Sequence, residues 1–491
     1  MRSGRGGENS ELEGLSVVVG LGATGLSCVR FLESCGAEYV AVDSRESPPL
    51  LAEFRREFPS AVLQLGGFDA MTLAAARRLI VSPGIALSTP AIAQAIAAGV
   101  EVVGDIALFA RRVSAPILAV TGSNGKSTVV GLLAEILRAE GLSFGLGGNL
   151  DGENFKPALA LLAEPPRELY VLELSSFQLE TTPCLNAAAV ALLNLSEDHM
   201  DRYADASAYL AAKRAIFNGA SCAAVNVDDP QTQPVSEAVE WLRYSASAAI
   251  RDGFGVGLSS LSSLPGRREL TWQGAGFLPI DDMGLVGEHN ILNALAAATL
   301  ARAAGVSIEA IGAGIRRFSG LAHRCQWVAD REGVAFFNDS KGTNVGAALA
   351  SITGLGERLE QEHAKLVVIA GGDGKGADFA PLAAGLAGYA RSLVLIGRDA
   401  KRIARAVEAG RGECEIVFAS SMQEAVNLAA DAARAGDAVL LSPACASFDM
   451  FENFQHRGDC FEASVKSLGA AGSETSEGEG KAVLGCGDGC G

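Results

Sequence analysis

Apolar residues fall along the chain in two alternating rhythms. Short, nearly unbroken apolar runs at Val17–Leu21, Tyr39–Asp43, Leu79–Ser82, Ile117–Thr121, Tyr170–Leu174, Ala189–Leu193, Ala223–Val227, Leu366–Ala370, Leu393–Gly397 and Val439–Ser442 read as buried strands. Stretches between them, such as Val129–Glu140 and Ala206–Phe217, carry the wider spacing of helices. Strands apolar on both faces and separated by helices predict parallel sheets covered on either side, an α/β class. Ser245–Pro279 breaks the rhythm: rich in Ser and Gly with short apolar alternation, it reads as a small antiparallel insert.

Punctuation divides the pattern. Arg111–Pro116 and Ser319–Arg324 read as linkers, which sets the expected domains at residues 1–112, 113–321 and 322–466. Residues 467–491 are mostly Gly, Ser and Glu with few large apolar side chains, the composition of a disordered tail. A length of 491 residues suffices for about three cores of ordinary domain size. Against 40 Lys and Arg stand 57 Asp and Glu, a formal net charge of −17, which disfavours nucleic acid and anionic lipid as partners. Residues 1–13 lack an apolar core segment, and no later apolar run approaches the ~18 residues of a membrane span. The expectation is a soluble, cytoplasmic protein without membrane insertion. Ten scattered cysteines, with no pair of close Cys-Cys spacings, suggest neither a disulfide framework nor a zinc site.

Candidate chemistry gathers where predicted strands give way to helices, the ligand edge of an open α/β sheet. Thr121-Gly122-Ser123-Asn124-Gly125-Lys126-Ser127-Thr128 follows the apolar run Pro116–Val120. Its glycines let backbone amides approach phosphate oxygens, the helix start favours an anion, Lys126 supplies a point charge, and the Ser127 hydroxyl can ligate magnesium. Two residues separate Gly122 from Gly125 where the common P-loop has four, so the match to a nucleoside triphosphate cradle is partial. Glu173 lies at a strand's C-terminal end, where it can share that magnesium or serve as a surface or capping residue. Asn194–Arg202 crowds acidic groups, His199 and Arg202 after another strand: either the acidic first turn of a helix, or a site in which His199 is a ligand or proton carrier. Lys213, inside a helical stretch, reads from spacing alone as a solvent-facing lysine.

Gly20-Leu21-Gly22-Ala23-Thr24-Gly25, with Asp43 at the end of the next strand placed for a ribose hydroxyl, fits a dinucleotide fingerprint. It fits equally a tight turn that binds another phosphate or none. A dinucleotide-dependent oxidoreductase is therefore the competing reading. Asn338–Asn344 and Gly371–Gly376 each end a strand with more polar function than a simple turn needs, and read as binding loops.

Taken in order, the segments Thr121–Thr128, Leu172–Thr182, Glu197–Arg202, Gly287–Leu295, Asn338–Asn344, Gly371–Phe379 and Leu441–Gly458 resemble those of the Mur ligases of peptidoglycan synthesis. Asn338–Asn344 together with Ser442–Ser447 points to the glutamate-adding branch, and the likeness spans Leu15–Leu468. It implies three α/β domains: a Rossmann-like N-terminal domain that holds the UDP part of a substrate instead of a dinucleotide, a P-loop-type central ATPase domain, and a Rossmann-like C-terminal domain for the amino acid. It implies a monomer that uses ATP and Mg²⁺ to activate UDP-N-acetylmuramoyl-L-alanine as an acyl phosphate, which D-glutamate attacks to form an amide.

By the same resemblance Lys126 stabilises the transferring phosphoryl group, and Gly122 to Thr128 with Asn290, Asn293, Arg324 and Asp339 contact ATP. Ser127, Glu173, His199 and Lys213 hold magnesium, Lys213 as a carbamylated side chain. Thr24, Ser44, Arg45 and Ser82 face the uridine and diphosphate, Asn149 approaches the muramoyl part, and Lys341, Thr343, Lys375, Ser447 and Phe454 receive D-glutamate. Three positions depart from the family pattern: Asp151 where Gly is common, Ala322 where Pro is frequent, and Gly342 in place of a usual Ala.

Overall fold

Val17, Val18 and Val19 show how the chain builds its layers. Successive strand side chains point to opposite faces, so Val18 enters one core while Val17 and Val19 enter another. The computed structural model describes residues 12–150, 156–196, 198–200, 202–235, 239–259, 266–285, 287–410 and 414–468. The first sheet contains β1 (Ser16–Val19), β2 (Tyr39–Asp43), β3 (Leu63–Leu65), β4 (Arg78–Val81) and β5 (Glu101–Val103). Its order is β3-β2-β1-β4-β5, and every pairing is parallel. Strand order reverses between β1 and β4, which opens a ligand crevice at their C-terminal ends.

The middle sheet contains β6 (Ile117–Thr121), β7 (Phe144–Gly148), β8 (Leu169–Glu173), β9 (Ala189–Leu192), β10 (Cys222–Asn226), β11 (Glu240–Tyr244), β12 (Gly253–Leu258), β13 (Arg268–Trp272) and β14 (Ala275–Pro279). Its order is β14-β13-β12-β11-β10-β9-β6-β8-β7. The same alternation recurs in β6: Leu118 and Val120 pack with side chains of the helices Lys126–Glu140 and Glu288–Ala303, while Ile117 and Ala119 join the core shared with the first sheet. The stretch Ser245–Pro279 is not a separate insert. Its strand β12 pairs in parallel with β11, and only β13 and β14 are antiparallel, because Phe254, Val256, Leu270 and Leu278 bury in the same core as the helix Glu288–Ala303.

The third sheet contains β15 (Gln326–Arg331), β16 (Val334–Asn338), β17 (Leu366–Gly371), β18 (Ala390–Ile396), β19 (Glu415–Phe418) and β20 (Ala438–Leu441), in the order β15-β16-β20-β17-β18-β19. Only β15 runs antiparallel, at the edge. The chain divides into two units: one carries the first and middle sheets together with residues 349–355 and 375–378, the other carries the third sheet. Of the sequence features named above, Asp151, Glu197, Asp201 and the tail from residue 469 lie outside the described residues. Among the described residues no helix is long and apolar enough to cross a membrane.

Candidate active site

The chain leaves β6 through Gly125, whose φ of 81° starts the helix Lys126–Glu140. A side chain there would be strained by that backbone and would also meet Asn293 Oδ1 at 2.4 Å. The loop is pinned from the segment after β9. The Asn124 amide donates to Asn194 Oδ1 (2.8 Å), and Asn194 Nδ2 donates back to the Asn124 carbonyl (3.0 Å). Ser123 Oγ donates to the Ser196 carbonyl (2.9 Å), accepts the Ser196 amide (3.0 Å) and faces the Tyr209 hydroxyl at 3.0 Å. Lys126 Nζ curls back to the carbonyls of Gly122 (2.8 Å) and Ser123 (3.0 Å). Thr128 is half-buried in the first helical turn.

Ser127 Oγ donates to Glu173 Oε2 at 2.6 Å, and Asn149 Nδ2 donates to Glu173 Oε1 at 3.2 Å. Asn149 is thus beside the carboxylate that ends β8. Asn290 and Asn293 occupy the first turns of the helix Glu288–Ala303, joined at 3.2 Å from Asn293 Nδ2 to Asn290 Oδ1.

Lys213 corrects the expectation from spacing. It is 2% exposed, its Nζ donates to the Gly122 carbonyl at 2.9 Å, and it lies 4.7 Å from the centre of the Tyr209 ring. Desolvation, then repulsion from Lys126, pushes its pKa well below the usual lysine value, against the pull of Asp198 and Glu173. Two lysines converge on one carbonyl, and the buried one is biased toward the neutral, nucleophilic amine. His199 has a left-handed backbone with φ 58°. Its carbonyl accepts the amides of Arg202 (2.9 Å) and Tyr203 (3.1 Å), and its ring lies 4.8 Å from that of Phe177.

In the first sheet, Asp43 is engaged by Leu21 and Arg45. Its Oδ2 accepts the Leu21 amide and Arg45 Nη2, both at 2.7 Å, and its Oδ1 accepts Arg45 Nε at 2.9 Å. Burial would raise its pKa, but Arg45 and the Leu21 and Arg45 amides hold it at about 2. Ser82 Oγ donates to the Gly20 carbonyl at 3.1 Å. Thr24 is half-buried at the start of the following helix, and Ser44 is exposed.

In the unit of the third sheet, Asp339 accepts the Cys325 amide (3.1 Å) and the Ser442 hydroxyl (2.7 Å). Arg324 lies between two left-handed residues, His323 and Cys325. Lys341 Nζ sits 4.0 Å over the Phe454 ring. Thr343 follows within hydrogen-bond reach of the Lys341 carbonyl, and Ser447 is buried in the loop after β20. Lys375, left-handed at φ 49°, belongs with the first unit, where its Nζ donates to Asp198 Oδ1 at 2.9 Å. Arg457, absent from the sequence expectations, is 1% exposed and ties the Ser340 carbonyl (2.7 Å) and hydroxyl (3.0 Å) to the Cys445 carbonyl (3.0 Å). Burial lowers its pKa to about 10, so it stays charged at neutral pH. Its available signal was helical spacing: it follows Phe454 by three positions on the helix Phe454–Ser467, which puts it on the same face as that expected amino-acid contact.

Three family models match consecutive stretches of the chain: "Mur ligase MurD-like, N-terminal domain" over residues 15–104, "Mur ligase middle domain" over 120–301 and "Mur ligase, glutamate ligase domain" over 323–445. The UDP-N-acetylmuramoylalanine--D-glutamate ligase of Pseudomonas aeruginosa is 48% identical over 453 residues, which is 92% of this chain and 98% of that protein. The enzyme of the same name from Marinobacter nauticus is 48% identical over 458 residues, with the same coverage. Among solved structures, UDP-N-acetylmuramate-alanine ligase from Thermotoga maritima shares the fold, with a TM-score of 0.57 at 18% identity over 93% of this chain and 100% of that one. Matched in all three domains and nearly half identical to curated members over most of its length, the chain belongs to the Mur ligase family.

Proposed function

We propose that the chain is an ADP-forming ligase that adds D-glutamate to UDP-N-acetylmuramoyl-L-alanine in peptidoglycan precursor synthesis. The observation that carries this reading is the 48% identity to ligases of that name across 92% of the chain. The local chemistry supports it. A carboxylate is a poor electrophile, so the γ-phosphoryl group of ATP is first moved to the alanine carboxylate; the amine of D-glutamate attacks the carbonyl carbon, and phosphate leaves. Lys126, already turned over the loop by two carbonyls, is placed to neutralise the phosphoryl oxygens. Asn290, Asn293, Arg324 and Asp339 are the proposed further contacts to ATP.

Magnesium belongs to this reading as well. Among the described residues no group of three His, Cys, Asp or Glu side chains is arranged to hold a metal. The donors Ser127 and Glu173 nevertheless fit a hard cation: both offer oxygen, both are buried, and Asn149 fixes the second Glu173 oxygen. His199 and Lys213 are the proposed remaining ligands. The neutral Lys213 amine can attack carbon dioxide, forming an N–C bond and releasing a proton, which leaves an anionic oxygen. When bound, Mg²⁺ supplies charge neutralisation at the phosphoryl oxygens.

Thr24, Ser44, Arg45 and Ser82 are proposed to face the UDP group, Asn149 the muramoyl part, and Lys341, Thr343, Lys375, Ser447 and Phe454 the D-glutamate. The engagement of Asp43 by Leu21 and Arg45 argues against a dinucleotide ribose there. Domain limits at 1–112, 113–321 and 322–466 accommodate the three sheets. The proposal extends to a cytoplasmic monomer, since ATP and nucleotide-linked precursors are cytoplasmic. ADP release should require UDP-N-acetylmuramoyl-L-alanine together with D-glutamate, with L-glutamate, L-lysine and diaminopimelate inactive. Binding of NAD or NADP without amino-acid-dependent ADP release would overturn the reading.

A further inference from the structure

Arg202 carries a side chain that the proposed chemistry does not use, yet it is only 15% exposed and engaged on three sides. Its Nη2 donates to Glu180 Oε2 at 2.8 Å and to the main-chain carbonyl of Ile85 at 3.2 Å. The face of its guanidinium lies 4.8 Å from the centre of the Phe177 ring. Phe177 and Glu180 are three positions apart on the helix Ser176–Glu180, which a reciprocal capping box between Ser175 and Gln178 starts directly after β8. One short helical face thus presents a ring and a carboxylate to the same cation.

The two ends of this contact lie on different parts of the unit. Ile85 closes a turn with Ser82, its amide donating to the Ser82 carbonyl at 3.0 Å. Ser82 Oγ is bonded to the Gly20 carbonyl, and Ile85 Cδ1 lies 2.7 Å from where a Cβ on Gly20 would stand. The turn is therefore seated on the first glycine loop of the chain, at the C-terminal ends of β1 and β4. At the other end, the Phe177 ring abuts the His199 ring at 4.8 Å, and the Arg202 amide donates to the carbonyl of the left-handed His199 at 2.9 Å. Arg202 grips the His199 wall twice, through its own amide and through Phe177.

We propose that Arg202 is a positioning residue that holds the Ser82–Ile85 turn in register with the Phe177–His199 wall, so that the carboxylate of the UDP-linked substrate is delivered in line with the phosphoryl group. The inference rests on the functional reading above. Arginine suits the task because one planar group supplies donors in several directions and a flat face to the ring, whereas a lysine ammonium carries its three donors on one atom and has no flat face to lay on the ring. Misplacement of reacting groups by about 1 Å costs up to about 100-fold in rate.

The test is steady-state kinetics of the full-length chain with Arg202→Lys, Arg202→Gln and Glu180→Gln, below each variant's melting temperature. In Arg202→Lys, kcat should fall about 10- to 100-fold and the KM for UDP-N-acetylmuramoyl-L-alanine should rise, with the KM for ATP within about twofold of wild type. Glu180→Gln, which keeps the ring contact and loses the ion pair, should move both parameters in the same direction by less. A lowered melting temperature with unchanged kcat and KM would mark Arg202 as structural and overturn the proposal; should the Arg202 variants not fold, unchanged kinetics in Glu180→Gln overturns it. Wild type without D-glutamate-dependent ADP release would remove the functional reading and this inference together, whereas active wild type with indifferent variants removes this inference alone.

Discussion

Lys213 and Asp105 are both buried ionisable groups, and desolvation moves each toward its neutral form. For Lys213, beside the phosphate loop, the shift favours the neutral amine. Lys213→Ala should lower turnover strongly, and bicarbonate or a short carboxylic acid should restore part of it in an ADP-release assay; full activity in the variant would remove Lys213 from the site. Asp105, 1% exposed at the start of the helix Asp105–Ala110, has its pKa raised to about 6 by burial, against the amides of Ile106, its own residue and Ala158. Its folded pKa lies above the unfolded value of about 3.9, so the proton stabilises the fold fully below pH 4, and that contribution is lost as pH rises through 6. Asp105→Asn, which cannot ionise, should therefore stabilise the protein on the order of 2 kcal/mol more at pH 8 than at pH 4.5, read from denaturant unfolding at the two pH values. Neither property of these residues was legible in sequence. Spacing put Lys213 on a solvent face because, although Tyr209 lies one helical turn before it, nothing local announces the Gly122 carbonyl, 91 residues earlier in the chain, to which it donates. Arg457 was missed for a related reason: two of its three bonds go to Ser340, 117 residues earlier, and the third to the main-chain carbonyl of Cys445.

At the scale of elements, the phosphate loop and its helix were legible because glycine, lysine and the apolar strand before them are local signals. Most interior strands were legible as apolar runs, β11 excepted, while β3, β5 and β19 are edge strands of three or four residues, too short for that signal. The alternation of Ser245–Pro279 was visible, but its attachment to the middle sheet depends on burial of Phe254 and Leu270 against a helix that comes later in the chain. Gly125 is where element geometry and function meet. Gly125→Ala places a methyl group in a left-handed backbone and against Asn293 Oδ1, so the loop must move. Affinity for a non-hydrolysable ATP analogue, measured by titration calorimetry, should fall about 5- to 30-fold, for a strain of about 1–2 kcal/mol. Unchanged affinity would show that the loop adapts.

Across the whole molecule, three sheets present their loops at the C-terminal ends of parallel strands, and one continuous core joins the first sheet to the middle one. The first glycine loop has the spacing of a dinucleotide site, and pattern alone left an oxidoreductase open; the bonding of Asp43 and the family of the chain direct it to ligase chemistry. The central claim is that a carboxylate is activated by phosphorylation. It is tested most directly by UDP-N-acetylmuramoyl-L-alanine labelled with ¹⁸O in both alanine carboxylate oxygens, incubated with the enzyme, ATP and D-glutamate. The acyl-phosphate route transfers one ¹⁸O to each inorganic phosphate released and leaves the other in the new amide. Phosphate free of label, with amide formed, would contradict it.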